Sequence, residues 1–342
     1  MPIRHTLSRT ADGETEMNTA FSFDRALTYP FKAPHFKSFP WMFGLSYAAI
    51  LVVLFLVIGL LSWQGIAEWF LAMQQIENDP NPAPDEVFAL MFGGLGGLLP
   101  VLGVASLLGW VIWAMFEVAS QKRYLFGEKF SLGFGGDELR MMVVGLLWSV
   151  MSIAVFLIPG ILLFTAISVI MGSDLSAPMD DQTAGRFMAY FFGGFGLMFL
   201  FFFLYVFIAT RLAPCFALTV KEREIRFFDA WNVSRGRFWP ILGAYVIIAI
   251  VVSIVSQMVS MLAQLVMMPI LMTLPEQGDV PTEALAGIFL SPGFIIPMAL
   301  IYFMILFVQG LTQHFVAAPA SLAARHDPRN DPSEAERVDV FS

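Results

Sequence analysis

The chain has 342 residues, of which 58% are hydrophobic and only 13% are charged, against roughly 25% in a typical soluble domain. This composition excludes an ordinary soluble protein and indicates an integral membrane protein. The formal net charge is −8 and the sequence contains no dense basic block, so it excludes a nucleic-acid-binding protein.

Six apolar stretches are each long enough to cross a hydrocarbon core about 30 Å thick, which requires about 20 apolar residues. We therefore predict an all-α, polytopic bundle of six transmembrane helices in three hairpins. The predicted membrane domain covers residues 21–325, and the flanking segments 1–20 and 326–342 are predicted to be disordered and cytoplasmic. The predicted spans lie near residues 42–63, 88–116, 141–171, 187–210, 240–271 and 293–323.

Lysine and arginine are distributed unevenly between the segments that flank these spans. Eighteen of the 19 lie in the segments 1–41, 117–140, 211–237 and 325–342, which we call the basic face. The other three connections, called the acidic face, contain only Arg186 as a basic residue. Because lysine and arginine near span ends stay in the cytoplasm, both termini are predicted to be cytoplasmic.

An aromatic-rich segment precedes each hairpin, beginning with FSFDRALTYPFKAPHFKSFPWMFG before the first span. Rings mixed with cations are typical of helices that lie in the headgroup layer. The three segments resemble a weak threefold repeat, although similar demands at each membrane boundary would produce the same likeness. In the third segment, Arg235 and Arg237 flank a glycine just before an aromatic pair. The candidate contacts to lipid headgroups are Arg211, Arg235, Arg237 and Trp239.

Two readings of that third segment stay open at this point. The arginine pair could hold an anionic phosphate through guanidinium hydrogen bonds. It could equally be a charged collar that only fixes the orientation of the helix.

Polar residues recur every three or four positions along the fifth predicted span, and a second group follows in the sixth. Such stripes are costly in lipid, so we expect them to meet in the bundle interior. They could form simple hydrogen bonds between helices, or they could line a polar cavity for a small solute. The candidate interior residues are Ser253, Ser256, Gln257, Ser260, Gln264, Gln309, Gln313 and His314.

Cys215 is the only cysteine, which excludes an intramolecular disulfide or a cysteine-built zinc site. No known metal or nucleotide motif occurs, and we expect no cofactor, no metal and no catalytic site. Expected partners are membrane lipids, including anionic headgroups, and a protein partner or second copy of the chain.

The segment AWNVSRGRFWPILG, residues 230–243, follows Arg211 and Pro214 and is accompanied by GGDELR at residues 135–140. These motifs resemble the membrane-domain family named after glycerophosphoryl diester phosphodiesterase, over about residues 20–325. The resemblance implies a six-helix module of a bacterial-type inner membrane, without the soluble catalytic barrel that some members carry.

Three functions remain as hypotheses. The first is a non-enzymatic inner-membrane protein that organises lipids or partner proteins at its cytoplasmic face. The second is a permease or lipid transporter with a polar cavity between spans five and six. The third is a membrane enzyme acting on lipid phosphates, for which the sequence offers no clear set of catalytic residues.

Overall fold

The computed structural model describes residues 21–66, 76, 84–171, 180–271 and 291–327. Within these ranges the chain forms α-helices and no β-strand. In chain order the helices are α1 (Phe23–Lys32), α2 (Phe39–Leu61), α3 (Pro84–Phe126), α4 (Gly136–Met171), α5 (Asp181–Leu212), α6 (Cys215–Glu222), α7 (Ala230–Val233), α8 (Phe238–Leu271) and α9 (Pro292–Arg325).

The predicted all-α bundle with six long apolar helices is confirmed, with spans in α2, α3, α4, α5, α8 and α9. In the most apolar stretch of each span, at most 22% of the residues are buried by the rest of the protein. The remaining surface is hydrophobic and exposed, as expected of helices surrounded by lipid. The largest difference between predicted and observed helix bounds is in α3, which continues past residue 116 to Phe126, because Glu117, Gln121 and Arg123 find partners inside the bundle.

The predicted interfacial segments differ in structure. The first forms α1, which begins where Ser22 Oγ accepts a hydrogen bond from the backbone N–H of Arg25 at 3.4 Å. Residues 127–135 of the second segment are not helical, and the third contains only the single turn α7. The prediction of a helix before each hairpin is therefore wrong for the second segment, where Gly127, at φ +72°, ends α3.

The first and last spans, α2 and α9, pack through two reciprocal glycines. A Cβ atom at Gly44 would lie 2.7 Å from the ring of Phe307, and one at Gly310 would lie 2.9 Å from Cβ of Tyr47. Each glycine therefore makes room for an aromatic side chain of the other helix. Such small residues allow the close approach on which helix association in membranes depends.

The short helix α6 lies inside the bundle at the basic face. Cys215 and Leu218 are fully buried and share a hydrophobic cluster with Val144 of α4, Ile241 of α8 and Ala324 of α9. This cluster holds the basic ends of three spans together.

The predicted flanking segments lie mostly outside the described residues, since 1–20 and 328–342 are not described. The structure does place the first two residues of the predicted tail. The backbone N–H of His326 donates to the carbonyl of Leu322 at 3.2 Å, and Asp327 is 3% exposed. The packed part of the chain therefore includes residues 326 and 327, and the predicted disorder is wrong for these two.

Candidate functional site

A cavity of about 870 Å³ lies among α3, α4, α5, α6, α8 and α9. Sites for drug-sized ligands typically have volumes of about 300–1,000 Å³ and mainly apolar and aromatic walls. This cavity fits that description, because aliphatic and aromatic side chains form most of its wall. Its distinctive members are Trp110, Trp113 and Glu117 of α3, Trp148 of α4, Tyr205 of α5 and Tyr245 of α8.

Glu117 provides the only formal charge among the described residues that line this cavity. It is 7% exposed and lies about 14 Å along the helix from the end of α3 at Phe126, at 1.5 Å per residue. Gln121 Nε2 donates to one carboxylate oxygen at 2.8 Å, and Gln313 Nε2 donates to the other at 3.3 Å. The site thus holds a carboxylate between two amides.

The two glutamines are held in different ways. Oε1 of Gln121 accepts a hydrogen bond from Ser321 Oγ at 2.7 Å, so this amide is used at both ends. Gln313 also donates to the carbonyl of Trp113 at 3.2 Å, while its Oε1 is buried without a hydrogen-bond partner. Buried acceptors are normally satisfied, so this oxygen requires a physical explanation.

The aromatic wall is itself fixed by contacts between helices. Trp148 Nε1 donates to the hydroxyl of Tyr205 at 3.3 Å, which joins α4 to α5. Gly145 of α4 allows the tryptophans of α3 to approach, since a Cβ atom there would lie 2.7 Å from Trp113 and 3.2 Å from Trp110 Nε1. The ring positions are therefore set before any ligand binds.

A second buried polar cluster surrounds His314. Ser120 Oγ lies 2.8 Å from Nδ1 of His314, and the ring of Tyr124 stacks on the imidazole with centroids 4.8 Å apart. Arg123 donates to Nε2 of the imidazole and to the backbone carbonyl of Pro34, the latter at 2.9 Å. Because arginine can only donate, Nε2 accepts, and neutral His314 donates its Nδ1 proton to Ser120.

This second cluster connects α3 and α9 to the end of α1, the start of α2 and the chain between them. Arg123 Nη2 donates to the carbonyls of Pro30 and Ala33, at 3.2 and 3.4 Å, and its guanidinium lies 4.9 Å from the ring centre of Phe39. His314 and Arg123 are both fully buried. The cluster therefore has a structural role, and neither residue lines the cavity.

The prediction that two polar stripes meet in the bundle interior is wrong for most of their members. Of the predicted interior residues, His314 is buried and Gln313 lines the cavity, whereas Ser260 is half-buried. The exposed ones are Ser253, Ser256, Gln257, Gln264 and Gln309.

The geometry of α8 explains this correction. Its buried side contains Ile241, Ala244, Ile248 and Val259. At 100° per residue, the polar stripe is centred roughly a third of a turn around the helix from that side. The regular spacing correctly groups the stripe on one face, but it does not determine which way that face points.

The candidate headgroup residues are only partly brought together. Arg211 lies among the rings of Phe207, Trp231 and Phe238, 5.4–5.7 Å from each ring centre, and its Nη1 donates to the carbonyl of Ser234 at 3.2 Å. This arginine therefore holds the third aromatic segment against α5.

The other three headgroup candidates lie around the turn that begins α8. Arg235 is exposed and Trp239 is 76% exposed. Gly236 adopts φ +75°, a left-handed conformation that favours glycine. Arg237 is half-buried, and its guanidinium lies 5.8 Å from the ring centre of Phe21. These positions leave Arg235 and Trp239 accessible to headgroups.

Sequence reasoning missed the aromatic cavity. A signal was present in α3, where Trp110, Trp113, Glu117 and Gln121 recur at intervals of three and four and so share one helix face. The partners on α4, α5 and α8 carry no comparable pattern.

Comparison with protein-family models, curated proteins and solved structures finds no match to the chain.

Proposed function

We propose that this integral membrane protein is a non-enzymatic carrier that binds an amphipathic organic molecule in the cavity between α3, α4, α5, α8 and α9. The observation that carries the proposal is an 870 Å³ apolar cavity with a carboxylate, Glu117, in its wall. Ionisable groups inside membrane spans are costly and commonly mark the path of a substrate or ion. A purely structural bundle has no need of this combination.

The arrangement of α5 and α8 supports access from the membrane. These helices meet through the rings of Phe207 and Phe238, whose centres lie 5.3 Å apart at the basic face. Farther from the basic face, Phe202 of α5 and Ala249 of α8 both line the cavity. In this proposal an amphipathic molecule enters between the two helices, with its apolar part still in lipid.

Filling the cavity tests this proposal. Ala209→Trp places a large ring in the cavity, whereas Ala189→Trp adds the same ring at an exposed position on the same helix. We expect native mass spectrometry of gently extracted protein to detect one copurified or added molecule on the wild type and on Ala189→Trp. The added probe is N-phenyl-1-naphthylamine, and Ala209→Trp should lose binding. Equal occupancy of all three proteins, or no binding to the wild type, would refute the carrier function.

The proposed orientation places both ends of the chain in the cytoplasm, as the basic residues of the flanking segments favour. Reporter fusions after Gln74, Gly127, Asp181 and Arg226 should alternate outside, inside, outside and inside. Two consecutive fusions reporting the same side would contradict this topology. In this orientation, the cavity lies in the cytoplasmic half of the bundle.

A second candidate function is the organisation of anionic lipids at the basic face, which the exposed Arg235 and Trp239 favour. It agrees with the resemblance to the membrane domain of glycerophosphoryl diester phosphodiesterases, which implies a module without its own catalytic barrel. The double variant Arg235→Lys, Arg237→Lys keeps the charge but removes the guanidinium forks. Reduced retention of anionic lipid on this variant would support a headgroup site, and unchanged retention would leave the pair as an orientation signal.

A further inference from the structure

We infer that the molecule bound in the cavity carries a protonated amine, which Glu117 and Gln313 hold at one end while aromatic rings enclose its apolar body. This inference rests on the proposed carrier function and names the class of its substrate.

The polar groups of the cavity wall leave acceptors available where Glu117 and Gln313 meet. The carboxylate of Glu117 has room for further hydrogen bonds, because an ionised carboxylate can accept about four and receives two. Beside it, Oε1 of Gln313 is buried without a partner. The complementary ligand group is one that donates hydrogen bonds, and a protonated amine satisfies both acceptors.

The charges around Glu117 favour a cation over an anion. No lysine, arginine or histidine belongs to the described lining of the cavity, and in the described ranges Glu117 takes part in no ion pair. A buried charge without a partner is costly, so a ligand cation would provide a missing counter-charge. An anionic ligand would instead meet the carboxylate.

The rings of the wall suit the same class of ligand. Trp113, Trp148 and Tyr245 belong to the cavity wall, and aromatic faces attract cations. The remaining wall is mostly aliphatic, so it fits an alkyl or aryl body. The inferred class is therefore an arylalkyl or alkyl amine of drug-like size, distinct from an anionic lipid.

Three naphthalene compounds that differ at one end test this inference. They are 3-(1-naphthyl)-N,N-dimethylpropylamine, its neutral carbon isostere with CH in place of nitrogen, and 4-(1-naphthyl)butanoate. Their affinities are measured at pH 7 by calorimetry on the full chain in detergent, with protein-free micelles as the blank. We expect the amine to bind at least about tenfold more tightly than the neutral isostere, and the carboxylate to bind most weakly.

Substitutions then assign the preference to the site. Glu117→Gln should reduce the preference for the amine over the neutral isostere to less than about threefold. Glu128→Gln, which removes an acid at an exposed position outside the cavity, should leave all three affinities unchanged. If Glu117→Gln does not fold, Glu117→Asp keeps the charge but withdraws it by one methylene, and it should weaken binding of the amine alone.

The outcomes separate this inference from the carrier function. Equal affinities for the amine and its isostere, or a preference that survives Glu117→Gln, would overturn the amine assignment while the carrier function stands. Failure of all three compounds to bind the wild type would remove both. Two results together would support both the carrier function and the amine assignment. Ala209→Trp should abolish binding, and Glu117→Gln should lose the preference for the amine.

Discussion

Ser120 Oγ and His314 Nδ1 lie 2.8 Å apart, and this hydrogen bond joins α3 to α9 between two residues with no exposed surface. The same helices are joined again where Ser321 donates to Gln121 and where Gln313 donates to Glu117. The contact between α3 and α9 therefore serves two purposes. It fixes the bundle through His314, and it orients the polar wall of the cavity through the glutamines.

Replacing His314 with alanine should destabilise the protein strongly. The change removes the buried partner of Ser120 and one acceptor of the Arg123 guanidinium, and it creates a cavity, for a combined cost of about 2–4 kcal/mol. We expect the midpoint of thermal unfolding in detergent to fall by roughly 5–10 °C, as measured by fluorescence-detected size-exclusion chromatography. The control is His35→Asn at an exposed position with φ +59°, which asparagine tolerates. Equal melting temperatures for His314→Ala and wild type would contradict a structural role.

The glycines between α2 and α9 provide a matched test of close packing. In Gly44→Ala and Gly310→Ala the new methyl group meets Phe307 or Tyr47 at less than 3.0 Å, and overpacking typically costs about 1–3 kcal/mol. Gly59→Ala, on the same helix as Gly44, has no atom within 4 Å of the added methyl group. We therefore expect a lower melting temperature for Gly44→Ala and Gly310→Ala and no decrease for Gly59→Ala. A loss of the same size for Gly59→Ala would indicate that helix flexibility, rather than packing, is being measured.

Arg211 should not be replaceable by lysine. Its planar guanidinium contacts three rings and donates to Ser234, whereas a compact ammonium cannot make the same stacked contacts. We expect Arg211→Lys to cost about 1 kcal/mol, visible as a lower melting temperature. The control is Arg235→Lys, whose exposed side chain should tolerate the change. Equal melting temperatures for the two variants would show that the three rings around Arg211 add no stability beyond that of its charge.

His326 should make the protein sensitive to mild acid. Burial, together with the positive charges of Arg25, Arg237, Arg325 and Lys221, lowers the pKa of His326 to about 4 in the folded protein, against about 6.5 in an unfolded chain. Between these values the unfolded state binds more protons, so the stabilisation present above pH 6.5 is lost as the pH falls towards 4. The His326→Gln variant should lose less stability than wild type in melts recorded from pH 7.5 to 4.5. If the melting temperatures of the two proteins fall equally between pH 7.5 and 4.5, the lowered pKa of His326 is contradicted.

The six spans were predictable because each depends on a property of a continuous stretch of chain, namely length without charge. The direction of a polar face is different, since it depends on which neighbours approach the helix. Gln257 and Gln264 have the spacing of an interior stripe, but the buried apolar residues Ala244 and Ile241 determine which side of α8 packs. Helical spacing alone could not decide between these faces.

The cavity could not be predicted for a related reason. Its tryptophans and tyrosines come from four spans, and their convergence requires Gly145 to admit Trp113 and Trp110 closely. Only the α3 face, with Glu117 in line with two tryptophans, carries a signal within one segment. A charged residue that continues an aromatic helix face is therefore the part of this site that sequence reasoning can find.

The paired glycines of α2 and α9 also constrain how the protein is made. The α2 span is synthesised before α9, but the ring that fills the space beside Gly44 belongs to Phe307 in α9. Until the intervening chain has been synthesised, the space beside Gly44 on α2 is not filled by the ring of Phe307. Final assembly is thus a post-insertion event, and truncated chains that lack α9 should be recognised and degraded by membrane proteases even though their first spans insert normally.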